Sequence, residues 1–207
     1  MTRLIDKIGA LAKSGNGVEV GAYKGALAKF PTGVAVVTAC NCEGLPIGMT
    51  VNSFVSISLE PPVVSWSLRL QSSLYGAFAG ASSFVVNVLA SDQHQLANQF
   101  AARADDRFQG INWVSGVNGD PVLAGVAAIF ECDVVSSLIV GDHLIFFGGV
   151  IGFAGSDREP LIMHSGKVVE CNEVQKLDWK VVSKPVGNQS LSPVRFVGCG
   201  VGSNFTF

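Results

Sequence analysis

Residues 48–74 read GMTVNSFVSISLEPPVVSWSLRLQSSL, and the reading of this stretch decides the fold class. Val55, Ile57 and Leu59 alternate with Ser56 and Ser58, the two-residue period of a strand whose faces differ in polarity. VVSWSL, 63–68, is a second apolar run with hydroxyls inside it. Thr50, Ser53, Ser56, Ser58, Ser65, Ser67, Ser72 and Ser73 can each donate and accept a hydrogen bond, Asn52 adds an amide, and Arg69 adds the stretch's one fixed positive charge. A buried hydroxyl without a partner costs about 1–3 kcal/mol, so backbone, water or a ligand must satisfy this group. Serine is also common at strand ends and turns, and the local pattern leaves both readings open.

Outward from this stretch the chain continues as strands. VAVVTAC (34–40), LPIGMT (45–50), FVVNVL (84–89), AAIFECDVVSSLIV (127–140) and HLIFFGGVIGF (143–153) are rich in Val, Ile and Phe. Helices are expected over Tyr23–Phe30, stopped by Pro31, over Ser72–Ala79, and over Asp92–Ala102, the last with a capping box from Asp92 to Gln95. The regular strand–helix alternation of βαβ units is missing. The expectation is therefore a mainly β (α+β) fold, an antiparallel β-barrel with short helical excursions.

The 207 residues suit one domain with a tail, since no Pro/Ser/Gly-rich linker divides them. A hydrophobic share of 48% with only 14% charged residues exceeds what one core of this size needs, so part of the apolar surface is expected at an oligomer interface. The net charge of −2 and the absence of any Lys/Arg cluster argue against nucleic acid and against anionic membranes. The longest apolar stretch, 137–156, contains Asp142 and His143 and then four glycines, and is rejected as a membrane span. No secretion signal is visible at MTRLIDKIGALAKSG, and Cys40, Cys42, Cys132, Cys171 and Cys199 show no metal-ligand spacing. They read as reduced thiols of a cytoplasmic protein without structural metal or disulfides.

Dinucleotide, P-loop, zincin and hydrolase-elbow motifs are all absent. Of the three histidines, His94 reads as exposed on a polar helix, while His143 and His164 flank tight turns, where each can face a cavity or serve as a satisfied structural residue. Asp105, Asp106, Asp157, Arg158 and Glu159 read as solvated loops, and no acid–base pair is evident. A flavin would need none. It accepts hydride at its own ring and asks the protein for positioning, backbone amides and a phosphate anchor.

Six elements now fall into order: FPTGVAVVTA (30–39), GMTVNSFVSISLEPPVV (48–64), the loop with Arg69, Ser72 and Ser73, FVVNVLASDQHQLANQFA (84–101), GDHLIFFGGV (141–150) and PLIMHSGKV (160–168). Together they resemble the flavin reductase-like proteins of the FMN-binding split-barrel fold, which include the reductase components of two-component flavin monooxygenases. The resemblance implies a split-barrel domain over 21–170; the helix-like start reads as an N-terminal helical segment, 1–20, and a C-terminal extension, 171–207, matches no family pattern, its Pro, Gly, Ser and Asn favouring an extended segment packed on the partner subunit. It implies a homodimer that uses NADH or NADPH to reduce FMN or FAD for a partner monooxygenase. Tightly bound FMN serving another acceptor, and a non-enzymatic flavin or haem carrier, are the alternatives. By resemblance, Thr50, Val51, Asn52 and Ser53 run along the flavin ring, extended by Ser56 and Ser58. Ser67, Arg69, Ser72 and Ser73 anchor the phosphate, with the dipole of a helix starting near Ser72. Asn98, Phe100 and Arg103 form a second wall near the phosphate or the dimer partner, and His143 lies near the nicotinamide and flavin rings.

Overall fold

The computed structural model describes residues 19–104 and 106–169. All of them lie in one compact unit, 1–176; a second unit, 177–207, falls outside the described residues, as do residues 1–18 of the expected N-terminal helical segment and the whole expected extension, 171–207, with Cys171 and Cys199.

The main sheet has seven strands: β2 (Ala35–Cys40), β3 (Pro46–Val51), β4 (Val55–Leu59), β5 (Pro62–Arg69), β6 (Ser83–Val88), β9 (Ala128–Val140) and β10 (His143–Gly155). Their order is β3-β2-β6-β9-β10-β5-β4, and every pairing is antiparallel. β1 (Thr32–Gly33), β11 (Ile162–His164) and β12 (Lys167–Val169) form a small sheet, and β7 (Trp113–Ser115) with β8 (Pro121–Leu123) forms a hairpin.

The edges of the main sheet are β3 and β4, yet only residues 52–54 join them. Four Cα–Cα steps of 3.8 Å reach about 15 Å at most. Six inter-strand spacings across a flat sheet would need about 29 Å. The sheet must therefore curl until its edges approach. The core agrees: Ala35, Val37, Val51, Val64, Trp66, Leu68, Phe84, Val86, Cys132, Leu144 and Phe146, drawn from six of the seven strands, share one buried cluster. Trp66 stacks on Phe146 at 4.5 Å and meets Phe78 and Phe84 edge-on. A second cluster on the other face of β2 holds Val34, Val36, Leu89, Ala97, Phe100, Leu123 and Leu161. Buried on both faces, β2 is the β-branched run that the sequence marks.

Thr38 and Asn87 are polar but fully buried between these clusters. Asn87 donates to Val36 O (3.1 Å) and Thr38 Oγ1 (3.0 Å) and accepts from Leu123 N (2.8 Å); Thr38 Oγ1 donates to Pro121 O. Asp120 accepts from Cys40 N at 2.8 Å and from Ser83 Oγ at 2.5 Å. This network ties the β7–β8 hairpin to the main sheet and satisfies every buried polar atom in it.

β9 and β10 form a long hairpin closed by Gly141 and Asp142, with Val140 opposite His143. Gly141 has φ +61°, as the first central residue of a type II′ turn requires. The stretch 137–156 is thus a strand pair, and no helix among the described residues is long and apolar enough to cross a membrane.

The helices depart from expectation at their starts. α1 runs Val20–Leu27, not Tyr23–Phe30, because the Glu19 carboxylate accepts from Gly21 N (2.7 Å) and Ala22 N and so caps an earlier turn. α2 is only Tyr75–Ala79: the residues after Arg69 make successive turns, Ser72 N donating to Arg69 O and Tyr75 N to Ser72 O. α3 is His94–Ala101, and the expected capping box does not form. The Asp92 carboxylate instead meets Arg158, and Gln93 Oε1 accepts from Ala90 N at 2.9 Å.

Candidate functional site

The curling of the sheet opens a cleft of about 420 Å³ where the β3 end meets β5 and the start of β10. Met49, Thr50, Val51, Asn52, Ser53, Ser67, Arg69, Gln71, Ser72, Arg103 and His143 line it. Nine of these were expected from sequence; Met49 and Gln71 were not, although Gln71 stands between two residues that were.

Strand register sets the positively charged end. β10 pairs with β5 so that His143 lies directly opposite Arg69, and Leu70 N donates to Asp142 O at 2.9 Å. The two-residue turn leaves little freedom at His143, the first residue after it. Its Nδ1 lies 2.8 Å from Asp142 Oδ1. Asp142 is held below the ordinary carboxylate value, first by this hydrogen bond, next by the charge of the His143 ring, and more weakly by Arg69. A Gly-Asp pair between two strands is a legible hairpin signal, so Asp142 could have been found from sequence as the residue beside His143.

Of the four hydroxyl side chains in the lining, those of Thr50, Ser53 and Ser72 bond to the protein itself. Thr50 Oγ1 donates to Ala97 O at 2.6 Å. Ser53 Oγ donates to Ser67 O (3.2 Å) and accepts from Ser67 N (3.0 Å), and Ser72 Oγ accepts from Leu74 N (3.2 Å). These side chains shape the cleft walls, while Arg69, Arg103, Asn52, Gln71 and His143 bring longer polar groups to it. The cleft holds two guanidiniums, a donor set suited to a phosphate dianion.

Five expected residues do not meet there. Ser56 and Ser58 lie on the edge strand β4, paired with Val64 and Val63 of β5. Ser73 is exposed in the turns after β5. Asn98 is exposed on α3. Phe100 is 1% exposed and belongs to the second core cluster, its ring packed over Gly48 and edge-on to Phe108 at 5.0 Å. A five-residue helix beginning at Tyr75 leaves the expected dipole at Ser72 without a source. Elsewhere, His94 opens α3 exposed, and His164 ends β11 half-buried, outside the cleft.

A family model described as the flavin reductase like domain matches residues 27–171. This chain belongs to the flavin reductase-like family. Among its flavin reductase-like relatives, FMN reductase (NADH) SmoA of Agrobacterium fabrum is 44% identical over 144 residues, covering 70% of this chain and 82% of SmoA. The reductase component of the flavin-dependent trigonelline monooxygenase of Acinetobacter baylyi is 42% identical over 135 residues, which are 63% of this chain but 44% of that one. The chain thus spans less than half the length of this second relative. The NADH:FAD oxidoreductase SgcE6 of Streptomyces globisporus, solved with NAD and FAD fragments, superposes with a TM-score of 0.68 at 35% identity, covering 72% of this chain and 90% of SgcE6.

Proposed function

We propose that this flavin reductase-like chain is an NAD(P)H-dependent flavin reductase that moves a hydride from a reduced nicotinamide to FMN or FAD and hands the reduced flavin to a separate monooxygenase. The observation that carries the reading is the cleft, where two arginines, two amides and a carboxylate-held histidine converge. Relatives named as FMN reductase (NADH), as NADH:FMN oxidoreductase and as a monooxygenase reductase component support the same activity. The cleft volume lies in the range of small-molecule sites.

The residues present fit a flavin. When bound, a flavin supplies hydride acceptance at its ring. In this chain Arg69 and Arg103 would hold the phosphate, and Thr50, Val51, Asn52 and Ser53 would border the ring with backbone and amide groups. His143, steadied by Asp142, would orient the rings or hold a proton at Nε2. Reacting atoms must stand about 3–3.5 Å apart, so the rate depends on positioning.

We further infer that the curled sheet is a split barrel and that the protein is a homodimer. Val20, Tyr23 and Leu27 of α1, Phe30, and Val55, Ile57 and Leu59 of β4 are all more than half exposed, more apolar surface than a soluble monomer ordinarily carries.

Oxidation of NADH and NADPH measured with FMN, FAD and riboflavin tests the activity: turnover that requires added flavin is expected. No turnover with any of them, together with no flavin uptake, overturns the assignment. His143→Ala is expected to slow hydride transfer at least about tenfold while changing flavin affinity less than about threefold; unchanged NADH oxidation would remove His143 from the reaction.

A further inference from the structure

We propose that Arg107, which lies outside the cleft, is a positioning residue that holds Arg103 against the flavin phosphate; this rests on the phosphate-anchor reading above. The Arg107 guanidinium reaches two carbonyls, each next to a cleft wall. Its Nε donates to Ala102 O at 2.8 Å, and its Nη1 makes a longer contact to Gly48 O at 3.4 Å. Ala102 immediately precedes Arg103, and Gly48 immediately precedes Met49 and Thr50. One side chain therefore joins the wall made by the end of α3 to the wall made by β3.

The surroundings make Arg107 a fixed clamp. Ala102 has left the helix, with extended backbone at φ −69° and ψ 154°, so the ladder of α3 no longer sets the direction of the chain at Arg103. Gln99 Nε2 donates to Arg107 O and Gln109 O, both at 3.0 Å, which holds the clamp's own backbone to α3. Phe108 is wedged between Phe100 at 5.0 Å and Trp113 at 6.1 Å. Thr50 Oγ1 to Ala97 O is a second tie between the same walls, one turn of helix further from Arg103. Arg107 is half-buried, and burial lowers its pKa; a guanidinium is held in such a place by carbonyls that its fork reaches together, which an ammonium does not reproduce.

The test compares dissociation constants for FMN and riboflavin, read by quenching of flavin fluorescence, in wild type, Arg107→Gln, Arg107→Lys, Arg103→Gln and the double variant Arg103→Gln/Arg107→Gln. FMN affinity is expected to fall about tenfold in both Arg107 variants, with riboflavin changed less than about twofold, and the double variant to bind FMN no more weakly than Arg103→Gln alone. The lysine variant keeps the charge and loses the fork, so full FMN affinity in Arg107→Lys overturns positioning in favour of long-range charge. Equal losses for FMN and riboflavin, additive losses in the double variant, or an unaffected Arg107→Gln in a wild type that prefers FMN each overturn the inference alone. A wild type that binds FMN no better than riboflavin overturns the phosphate anchor and this inference together.

Discussion

At the scale of single residues, chemistry follows the surroundings more than the residue type. Cys132 is buried in the sheet between Phe84 of β6 and Val150 of β10, and its pKa is pushed up to about 12, first by desolvation and then by Asp133 and Glu131. Cys40 is raised more modestly by burial and then by Asp120, while Cys42 is exposed. In a Cys171→Ser/Cys199→Ser background, an aromatic disulfide reagent at neutral pH should modify Cys42 first, Cys40 later and Cys132 only after denaturation. Rapid native labelling of Cys132 would contradict its burial. The linkage sign follows: below pH 9.0 both states keep the Cys132 proton, whereas between 9.0 and about 12 only the unfolded chain releases it. Stability should fall through that window less steeply in Cys132→Ala, as measured by melting temperature against pH.

At the scale of elements, β3 and α3 are one unit, and glycine is what lets them meet. A Cβ at Gly48 would stand 2.6 Å from Phe100 Cε1 and 3.3 Å from Phe108 Cζ. Both are rings within a packed cluster, so neither can swing aside as a flexible chain end would. Gly48→Ala should cost about 1–3 kcal/mol by overpacking and weaken FMN binding, because it pushes α3 away from Thr50. Chemical denaturation checks the first effect and flavin titration the second; an unchanged midpoint would mean that the helix yields without cost. Phe100 thus contributes to the cleft from behind its wall, by packing.

For the whole molecule, the deciding fact is that three residues connect opposite edges of a seven-stranded sheet. Curling follows from chain reach, and the cleft follows from curling. The same curl leaves β4 as an outer strand, with Leu59 76% exposed and Val55 and Ile57 about half exposed, an arrangement that soluble proteins ordinarily cover. Sedimentation of the wild type is expected at twice the 21.6 kDa of the chain, and of Ile57→Asp at the monomer mass. A monomeric wild type at micromolar concentration would end the homodimer proposal.

Period and composition were enough to mark most strands, because alternation along a chain is a local property: the run at 34–40, the hydroxyl-bearing strands at 54–68 and the hairpin strands around Asp142 could all be read directly. The order of six motifs pointed to the family, and nine cleft residues were legible because they sit in or beside those motifs. Helix starts were less legible: Glu19 caps its own helix although glutamate is not a usual N-cap, and Asp92 turns to Arg158, a partner that only folding supplies. Phe100 was misplaced for a similar reason: the face a helix buries depends on what lies beneath it, here Gly48. By itself the sequence determined an antiparallel β protein of the flavin reductase-like family with a hydroxyl-rich strand pair and one candidate histidine. Only the tertiary structure decided that the Thr50 and Ser53 hydroxyls bond to backbone, that Arg69 faces His143 across a strand register, and that Met49 and Gln71 join their cleft, because each depends on contacts between residues distant in the chain.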